Sequence, residues 1–199
     1  MADGRGGLPP AFIRSAMPSD VPAVRALLAE TWHATYDRLI GAEKVAEITA
    51  RWHSEEALRR RLSVPASEFL VADTGSALAA MAFASQQGEI ITLHQLYVRP
   101  AFQRQGIASD LLRELTGCFI GSKRWRLEVA SQNAPAIAFY RALGFSSRDR
   151  APIDDPESGL LHLELTLDIP DEHRFMDPAL VAALEVAVAP ILERAAASP

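Results

Sequence analysis

The feature that most constrains this chain is the stretch LHQLYVRPAFQRQGIASDLL at residues 93–112. An apolar-rich run ends at Val98, Pro100 indicates a turn, and a helical pattern begins directly after Gly106. A strand that turns tightly into a helix leaves several backbone N–H groups aimed at one spot, where the aligned peptide dipoles add partial positive charge. Such a corner binds phosphate, and Gly106 lets the backbone approach a ligand closely because it has no Cβ.

Two further segments, EFLVADTGSALAAMAFA (68–84) and VASQNAPAIAFYRALGF (129–145), extend this pattern. Together the three stretches resemble the GNAT superfamily, whose members are acyltransferases that use acetyl-coenzyme A. The family motifs Q/R-x-x-G-x-G/A and N-x-x-A-x-x-F-Y-x-x-x-G-F are matched by Gln103, Gly106 and Ala108, and by Asn133, Ala136, Phe139, Tyr140, Gly144 and Phe145. The resemblance covers roughly residues 13–167.

Composition narrows the class of protein. The 199 residues are 49% hydrophobic, which is enough for one sizeable core with extensions. A formal net charge of −5 and a pI of about 5.5 disfavour a general nucleic-acid-binding protein, which is usually basic. No apolar run reaches the roughly 18 residues of a membrane span, and the first residues hold no apolar signal core, so we expect a cytoplasmic protein with no membrane partner. The single cysteine, Cys118, is expected to be buried or half-buried.

Three regions are expected along the chain. Residues 1–10, rich in Gly and Pro, predict a disordered tail, and residues 11–167 predict one acetyltransferase domain. Residues 168–199 predict a charged linker and an Ala-rich helix over 177–197, kinked at Pro190. That helix packs on its own domain, forms a contact in a homodimer or covers the acceptor site, and the sequence leaves these alternatives open.

The predicted fold is α/β (α+β), with a GNAT-like mixed, largely antiparallel sheet flanked by helices and an added C-terminal helix. The expected strands cover residues 12–16, 69–72, 78–85, 90–98, 124–130 and 160–167. The expected helices begin at the cap Ser19-Asp20, cover 42–62 with a restart at Ser54, run from Gly106 to about Phe119, and run from Asn133 or Pro135 to Gly144. The acidic, turn-rich segment 152–159 is expected to be a loop.

The resemblance implies three places that hold acetyl-coenzyme A. The backbone N–H groups that take its pyrophosphate are those of Gln103, Arg104, Gln105, Gly106, Ile107, Ala108 and Ser109. The residues along the pantetheine arm are Leu96, Tyr97 and Val98 on one side, and Asn133, Ala136 and Phe139 on the other. Asn133 also has a plain interpretation as a helix cap. Arg99 and Arg104 either add charge near the phosphates or are ordinary solvated side chains.

The resemblance assigns protonation of the leaving thiolate to Tyr140. A phenol with a pKa near 10 can donate to a thiolate whose conjugate acid has a pKa near 8.5, if the hydroxyl lies within hydrogen-bonding reach. The alternative is a tyrosine that only packs its ring against the sheet. The family also implies that a backbone N–H near Val98 polarises the acetyl carbonyl, since preorganised donors stabilise developing negative charge.

His94 is the candidate base that deprotonates the amine. It lies four residues before Val98 in one predicted strand, so we expect the two side chains to share a face, together with Leu96. Some family members carry a histidine at the matching place, and a pKa near 6.5 suits a base at neutral pH. Others use a glutamate two positions earlier, where this chain has Thr92. Two alternatives remain open. His94 is held by the sheet and takes no part in the transfer, or water deprotonates the amine without a single base.

The acceptor pocket is expected to involve Trp32 and Tyr36, which lie four apart on one helical face. Core packing is the competing interpretation for Trp32. Asp37 or Glu30 either recognises a cationic amine or is a solvated carboxylate. No metal is expected, since the histidines lack metal-ligand spacing with Cys or carboxylate clusters.

The sequence therefore predicts an N-acetyltransferase that acts on a primary amine of a small molecule or peptide, with no nucleic-acid partner. The alternative is a module of the same fold that binds or senses acyl-coenzyme A without catalysis. A P-loop nucleotide-binding enzyme is excluded because no Gly-Lys-Ser/Thr follows Gly106.

Overall fold

Seven strands form one sheet with α-helices on both faces across residues 11–147 and 151–169, which are the residues that the computed structural model describes. The elements are β1 (Phe12–Ser15), α1 (Val21–Ile40), α2 (Ala42–Trp52), α3 (Glu55–Arg61), β2 (Ser67–Asp73), β3 (Leu78–Gln87), β4 (Ile90–Val98), α4 (Ile107–Cys118), β5 (Arg124–Ala130), α5 (Ala134–Ala142), β6 (Ile153–Asp155) and β7 (Leu160–Asp168). The tail predicted for residues 1–10 and the helix predicted for 177–197 lie outside the described residues.

The strand order is β1-β2-β3-β4-β5-β7-β6, and every neighbouring pair is antiparallel except β4 with β5. The predicted mixed, largely antiparallel sheet is confirmed. The parallel pair is short: it begins at Ile90↔Arg124 and ends at Leu93↔Leu127. Both strands continue beyond Leu93 and Leu127 without pairing to each other, so the sheet opens between them.

Apolar side chains divide the core between the two faces of the sheet. One cluster joins α4 and α5 to the sheet through residues such as Leu111, Leu115 and Tyr140. On the other face, Leu27 and Leu28 of α1 belong to a second cluster. Burial of such side chains contributes about 1.5–3 kcal/mol each and fixes the helices against the strands. The opening between β4 and β5 is therefore bounded by packed helices on both faces.

Strand β4 carries a bulge at His94. Phe83 of β3 faces Gln95, whereas the next residue, Ala84, faces Leu93, so His94 is the extra residue in the ladder. The bulge reverses the alternation of side chains, and the ring of His94 stacks on Phe83 with centroids 5.3 Å apart. Leu96 packs against the cluster of α4 and α5 instead. The prediction that His94 shares a face with Leu96 and Val98 is therefore wrong.

The helices begin where predicted after Asp20, Ser54 and Asn133, and two of these three starts carry a side-chain cap. Ser54 accepts a hydrogen bond from the Ala57 N–H at 3.2 Å and restarts the chain as α3 after α2. Asn133 caps α5 by accepting from the Ala136 N–H at 3.2 Å. Asp20 makes no side-chain cap on α1, because its carboxylate accepts hydrogen bonds from Arg14 at 2.6 and 2.9 Å.

Two further expectations are wrong. The segment 152–159 contains the short strand β6, which pairs with β7 from Ile153↔His162 to Asp155↔Leu160. The acidic composition of the segment gave no strand signal, because an edge strand pairs on one side only and leaves its other side in solvent.

Cys118 is exposed at the end of α4, and its Sγ lies 3.3 Å from the Glu114 carbonyl oxygen. Among the apolar residues near Cys118 in the sequence, Leu115 and Phe119 are buried, whereas Ile120 is 91% exposed, and Cys118 also falls on the solvent side.

Candidate active site

A cavity of about 380 Å³ lies at the opening between β4 and β5 and receives side chains from both faces of the sheet. Eight of the residues predicted for the site line it: Trp32, Tyr36, His94, Leu96, Tyr97, Asn133, Ala136 and Tyr140. Val98, Phe139 and the phosphate turn from Gln103 to Ser109 do not line it. The predicted site residues thus divide between this cavity and the corner that follows β4.

The corner between β4 and α4 has the conformation that an anion cradle needs. Gly106 has a φ of +83°, the left-handed conformation that glycine adopts without strain. A Cβ built on it would meet no atom within 4 Å, so the space before the backbone is open. The first helical bond of α4 runs from the Asp110 N–H to the Gly106 carbonyl at 3.0 Å. The N–H groups of the three residues 107–109 therefore have no partner inside the helix.

Side chains of the turn brace this corner. Gln103 Nε2 donates to the Val98 carbonyl at 3.1 Å, and the Gln103 backbone N–H donates to the Pro100 carbonyl at 3.3 Å. The backbone N–H of Gln103 therefore has a partner within the protein, whereas the N–H groups of residues 107–109 have none inside the helix. Arg99 Nη1 lies 3.3 Å from Glu30 Oε2, and this ion pair joins the end of β4 to α1. These contacts hold the corner in place relative to the sheet.

Tyr140 reaches the cavity from α5. Its ring lies between Phe139 and Phe145, with centroid distances of 5.2 and 5.6 Å. Burial, and then the nearby Tyr36, raise the pKa of the Tyr140 phenol well above its ordinary value. Burial also raises the pKa of Tyr97, which lines the same cavity. Tyr140 is therefore a protonated phenol at neutral pH, and the raised pKa makes it a weaker proton donor than an ordinary phenol.

His94 enters the cavity from the opposite face of the sheet. Its Nε2 lies 2.7 Å from the Ser85 Oγ, and its ring stacks on Phe83. Burial, and then the charges of Arg61 and Arg126, lower the pKa of His94 below its ordinary value. The imidazole is therefore neutral at neutral pH, as a proton acceptor must be.

Aromatic side chains from α1 and α2 close one end of the cavity. Trp32 and Tyr36 are 5% and 8% exposed and lie with ring centroids 4.7 Å apart, so both pack in the core and line the cavity. Trp52 meets Trp32 edge-on at 5.7 Å, and its Nε1 donates to Glu157 Oε2 at 2.6 Å. Asp37 lies elsewhere, paired with His33 Nδ1 at 2.8 Å.

Five polar residues that line the cavity were not predicted for the site from the sequence: His53, Arg61, Gln95, Glu128 and His162. His53 Nε2 lies 3.2 Å from Gln95 Nε2, and both residues are buried. Burial, and then the charge of Arg61, lower the pKa of His53 to about 3. His53 and Gln95 carry no motif, and Arg61 ends a run of three arginines that is typical of a solvated helix face. The sequence holds no signal that separates them from surface residues.

The described residues give two negative results. They contain no group of three or more His, Cys, Asp or Glu residues that could hold a metal ion. None of their helices combines the length and the apolarity that crossing a membrane requires.

Comparison with known proteins identifies the family. Residues 24–145 match the Acetyltransferase (GNAT) family, and this match covers more than half of the chain. The chain therefore belongs to the GNAT acetyltransferase family. The matched region contains the phosphate corner, the bulged strand and the Tyr140 helix.

Two curated relatives cover smaller parts. The chain is 36% identical over 93 residues to the N-alpha-acetyltransferase RimI of Mycobacterium tuberculosis, which is 45% of this chain and 58% of that protein. It is 40% identical over 67 residues to the uncharacterized protein ML0378 of Mycobacterium leprae, which is 34% of this chain and 18% of that protein. The chain thus spans less than two thirds of either relative.

Solved structures share the fold. The PaiA N-acetyltransferase of Thermoplasma acidophilum, determined in complex with coenzyme A, superposes with a TM-score of 0.67 at 23% identity, over 77% of this chain and 97% of that one. The ribosomal-protein-S18-alanine N-acetyltransferase of Escherichia coli gives a TM-score of 0.57 at 23% identity, over 83% and 99%. At these identities the likeness shows the fold alone.

Proposed function

We propose that the protein is an N-acetyltransferase that moves an acetyl group from acetyl-coenzyme A to a primary amine of a small molecule or peptide. One observation carries the proposal: a single cavity holds a neutral histidine from one face of the sheet and a protonated phenol from the other. A proton acceptor and a proton donor on opposite sides of one space suit a reaction that removes one proton and supplies another.

The residues present fit coenzyme A. The open corner at Gly106 offers the N–H groups of Ile107, Ala108 and Ser109 to a diphosphate, and the positive end of the α4 dipole adds to the attraction. The edge of β4 that faces β5 is unpaired after Leu93, so its backbone is free to bind a pantetheine arm as a neighbouring strand would. When bound, acetyl-coenzyme A supplies an acetyl group activated as a thioester.

His94 is the proposed base. In the tautomer in which Nε2 donates to Ser85 Oγ, the Nδ1 lone pair is free to accept the proton of the amine. The neutral amine then forms the new C–N bond with the acetyl carbon, and its nitrogen releases its surplus proton to the solvent as the amide forms. Because the pKa of His94 is lowered, the histidine is available as a base over a wider range of pH than an ordinary imidazole.

Tyr140 is the proposed acid. Its hydroxyl donates a proton to the sulfur as the C–S bond breaks, and the backbone N–H near Val98 stabilises the carbonyl oxygen. Phe139 and Asn133 support this arrangement from α5, since Phe139 packs on the Tyr140 ring and Asn133 fixes the start of the helix. The products are an N-acetylated amine and a free thiol.

The acceptor side is proposed to include Trp32 and Tyr36, which line the cavity beside His94. The identity of 36% with an N-alpha-acetyltransferase over 93 residues supports an α-amine as the acceptor group. Such an amine is small enough to enter the cavity alone and can also lie at the end of a peptide.

Thiol release tests the proposal directly. The protein with acetyl-coenzyme A is assayed against amines, polyamines, amino acids and N-terminal peptides, with a Tyr140→Phe, His94→Gln double variant as the control. Release that depends on an amine and is lost in the double variant supports the proposal. Coenzyme A binding with no transfer to any amine favours the non-catalytic module instead.

A further inference from the structure

One side of the cavity, which we call the acceptor wall, consists of His53, Arg61 and Gln95. Each of these residues has a buried polar atom that makes no hydrogen bond to the described part of the chain: His53 Nδ1, Arg61 Nη1 and Gln95 Oε1. All three residues line the cavity. A buried polar atom without a partner costs about 1–3 kcal/mol, so three in one wall indicate a missing partner.

Arg61 differs from the arginines beside it. Arg59 and Arg60 lie on the solvent side of α3 and pair with Glu55 and Glu56 at 3.5 and 2.5 Å. Arg61 turns inward, and its Nη2 donates to the Trp52 carbonyl at 3.2 Å. None of the ion pairs among the described residues includes Arg61. A guanidinium that faces a cavity without a carboxylate partner is suited to an anionic ligand.

His53 adds a second donor beside Arg61. The Gln95 amide donates from Nε2 to His53 Nε2 at 3.2 Å, which places the imidazole proton on Nδ1. Burial and the charge of Arg61 keep the imidazole neutral, since they lower its pKa to about 3. The wall therefore contains two N–H donors without a partner among the described residues, Arg61 Nη1 and His53 Nδ1, and one such acceptor, Gln95 Oε1. Because these atoms are buried, a ligand in the cavity reaches them only when the side chains of the wall shift.

We propose that the acceptor wall recognises a carboxylate carried by the amine substrate, with Arg61 and His53 as donors to its oxygens. Gln95 Oε1 accepts a hydrogen bond from the amine. The proposal rests on the proposed function and narrows its substrates to amines that bear a nearby carboxylate. Two sources share this chemistry: the α-carboxylate of a free amino acid, and an acidic side chain next to the N-terminus of a peptide.

The carboxylate among the residues that line the cavity is not paired with Arg61. Glu128 lines the cavity, but its Oε1 accepts from Arg126 Nη2 at 2.7 Å. Arg126 also pairs through its Nε with Glu164 Oε2 at 2.8 Å, so it offsets the charge of Glu128 only in part. Glu128 forms no ion pair with Arg61 among the described residues, so the positive charge of Arg61 remains available to the substrate.

The test measures kcat/KM by thiol release for matched pairs of acceptors. One arm compares free alanine, leucine and methionine with their carboxamides, and the other compares tripeptide amides that have glutamate or glutamine at the second position. We expect the carboxylate member to be preferred by about tenfold or more in one arm, which identifies the source. Arg61→Met should reduce that preference to near unity, whereas Arg60→Met, which removes an exposed arginine one residue away, should keep it.

Other outcomes have separate meanings. If amines are acetylated without preference for a carboxylate, or if Arg61→Met keeps the preference, the carboxylate site is refuted and the proposed function stands. If no amine is acetylated, the proposed function fails, and calorimetry with the same ligands and coenzyme A decides the inference. Weaker binding of the carboxylate ligands to Arg61→Met than to Arg60→Met would then support the site, and equal or absent binding would overturn it. Thermal unfolding of both variants shows that they are folded.

Discussion

His94 and Ser85 lie on neighbouring strands, with the imidazole Nε2 2.7 Å from the hydroxyl oxygen. The contact exists because the bulge in β4 turns His94 towards β3 and away from the α4 face. It engages Nε2, so Nδ1 is the ring nitrogen that would serve the proposed base. The bulge thereby links the register of the sheet to the placement of the proposed base.

The pH dependence of turnover tests His94. Because burial lowers the pKa of His94, kcat should stay high through neutral pH and fall as the pH decreases through that lowered pKa, where the protonated ring accepts no proton. His94→Gln should lose this inflection and reduce kcat by about 100-fold. His33→Gln, which alters a half-buried histidine paired with Asp37, is the control and should keep both the inflection and the kcat. An inflection that persists in His94→Gln would belong to another titrating group and would remove His94 as the base.

Replacing Tyr140 tests the proposed acid. Tyr140→Phe removes only the hydroxyl, so the packing against Phe139 and Phe145 is retained and acetyl-coenzyme A binding should change little. The kcat for acetyl transfer should fall by about 100-fold, because the thiolate must leave unprotonated. Tyr97→Phe removes another buried phenol of the cavity and serves as the comparison. A full kcat in Tyr140→Phe would remove this residue from catalysis.

The phosphate corner is tested with two matched glycines. Gly106 and Gly75 have φ values of +83° and +81°, and an added Cβ would meet nothing within 4 Å at either one. Both alanine variants should therefore lose about 1 kcal/mol in the free energy of unfolding. Only Gly106→Ala, whose Cβ enters the cradle, should weaken coenzyme A binding in calorimetry, by about tenfold. Equal affinities for the two variants would argue against a diphosphate at Gly106.

Acid sensitivity of the fold tests the state of His53. Its pKa falls from 6.5 in the unfolded chain to about 3 in the fold, so between these values the unfolded chain binds more protons. The stabilisation is complete above pH 6.5 and is lost as the pH decreases towards 3. Between pH 7 and pH 5, urea unfolding of the wild type should lose about 2 kcal/mol more than that of His53→Gln. The same loss in both proteins would show that His53 titrates normally.

Much of the fold was predictable because its signals are local. Gly106 marks the corner, Ser54 and Asn133 mark helix starts, and the alternation in β5 marks a half-buried strand. The bulge at His94 was not predictable, since it depends on the pairing of β4 with β3 rather than on the residues of β4 alone. The cap predicted at Asp20 failed for a similar reason, because a distant partner, Arg14, engages its carboxylate.

The candidate site was predictable in part. The motifs gave Tyr140, Asn133 and the phosphate corner, which the resemblance to the family assigns residue by residue. The acceptor wall was not predictable from the sequence, because Arg61 resembles its exposed neighbours in sequence and differs only in the direction of its side chain. Side chains that meet from separate helices and strands, such as Arg61 and Gln95, become visible only in three dimensions.

A crystal structure of the protein with coenzyme A tests the central claim most directly. The account predicts the diphosphate against the N–H groups of residues 107–109 and the sulfur within hydrogen-bonding reach of the Tyr140 hydroxyl in the cavity between β4 and β5. Coenzyme A bound elsewhere, or a sulfur that does not reach Tyr140, would contradict it.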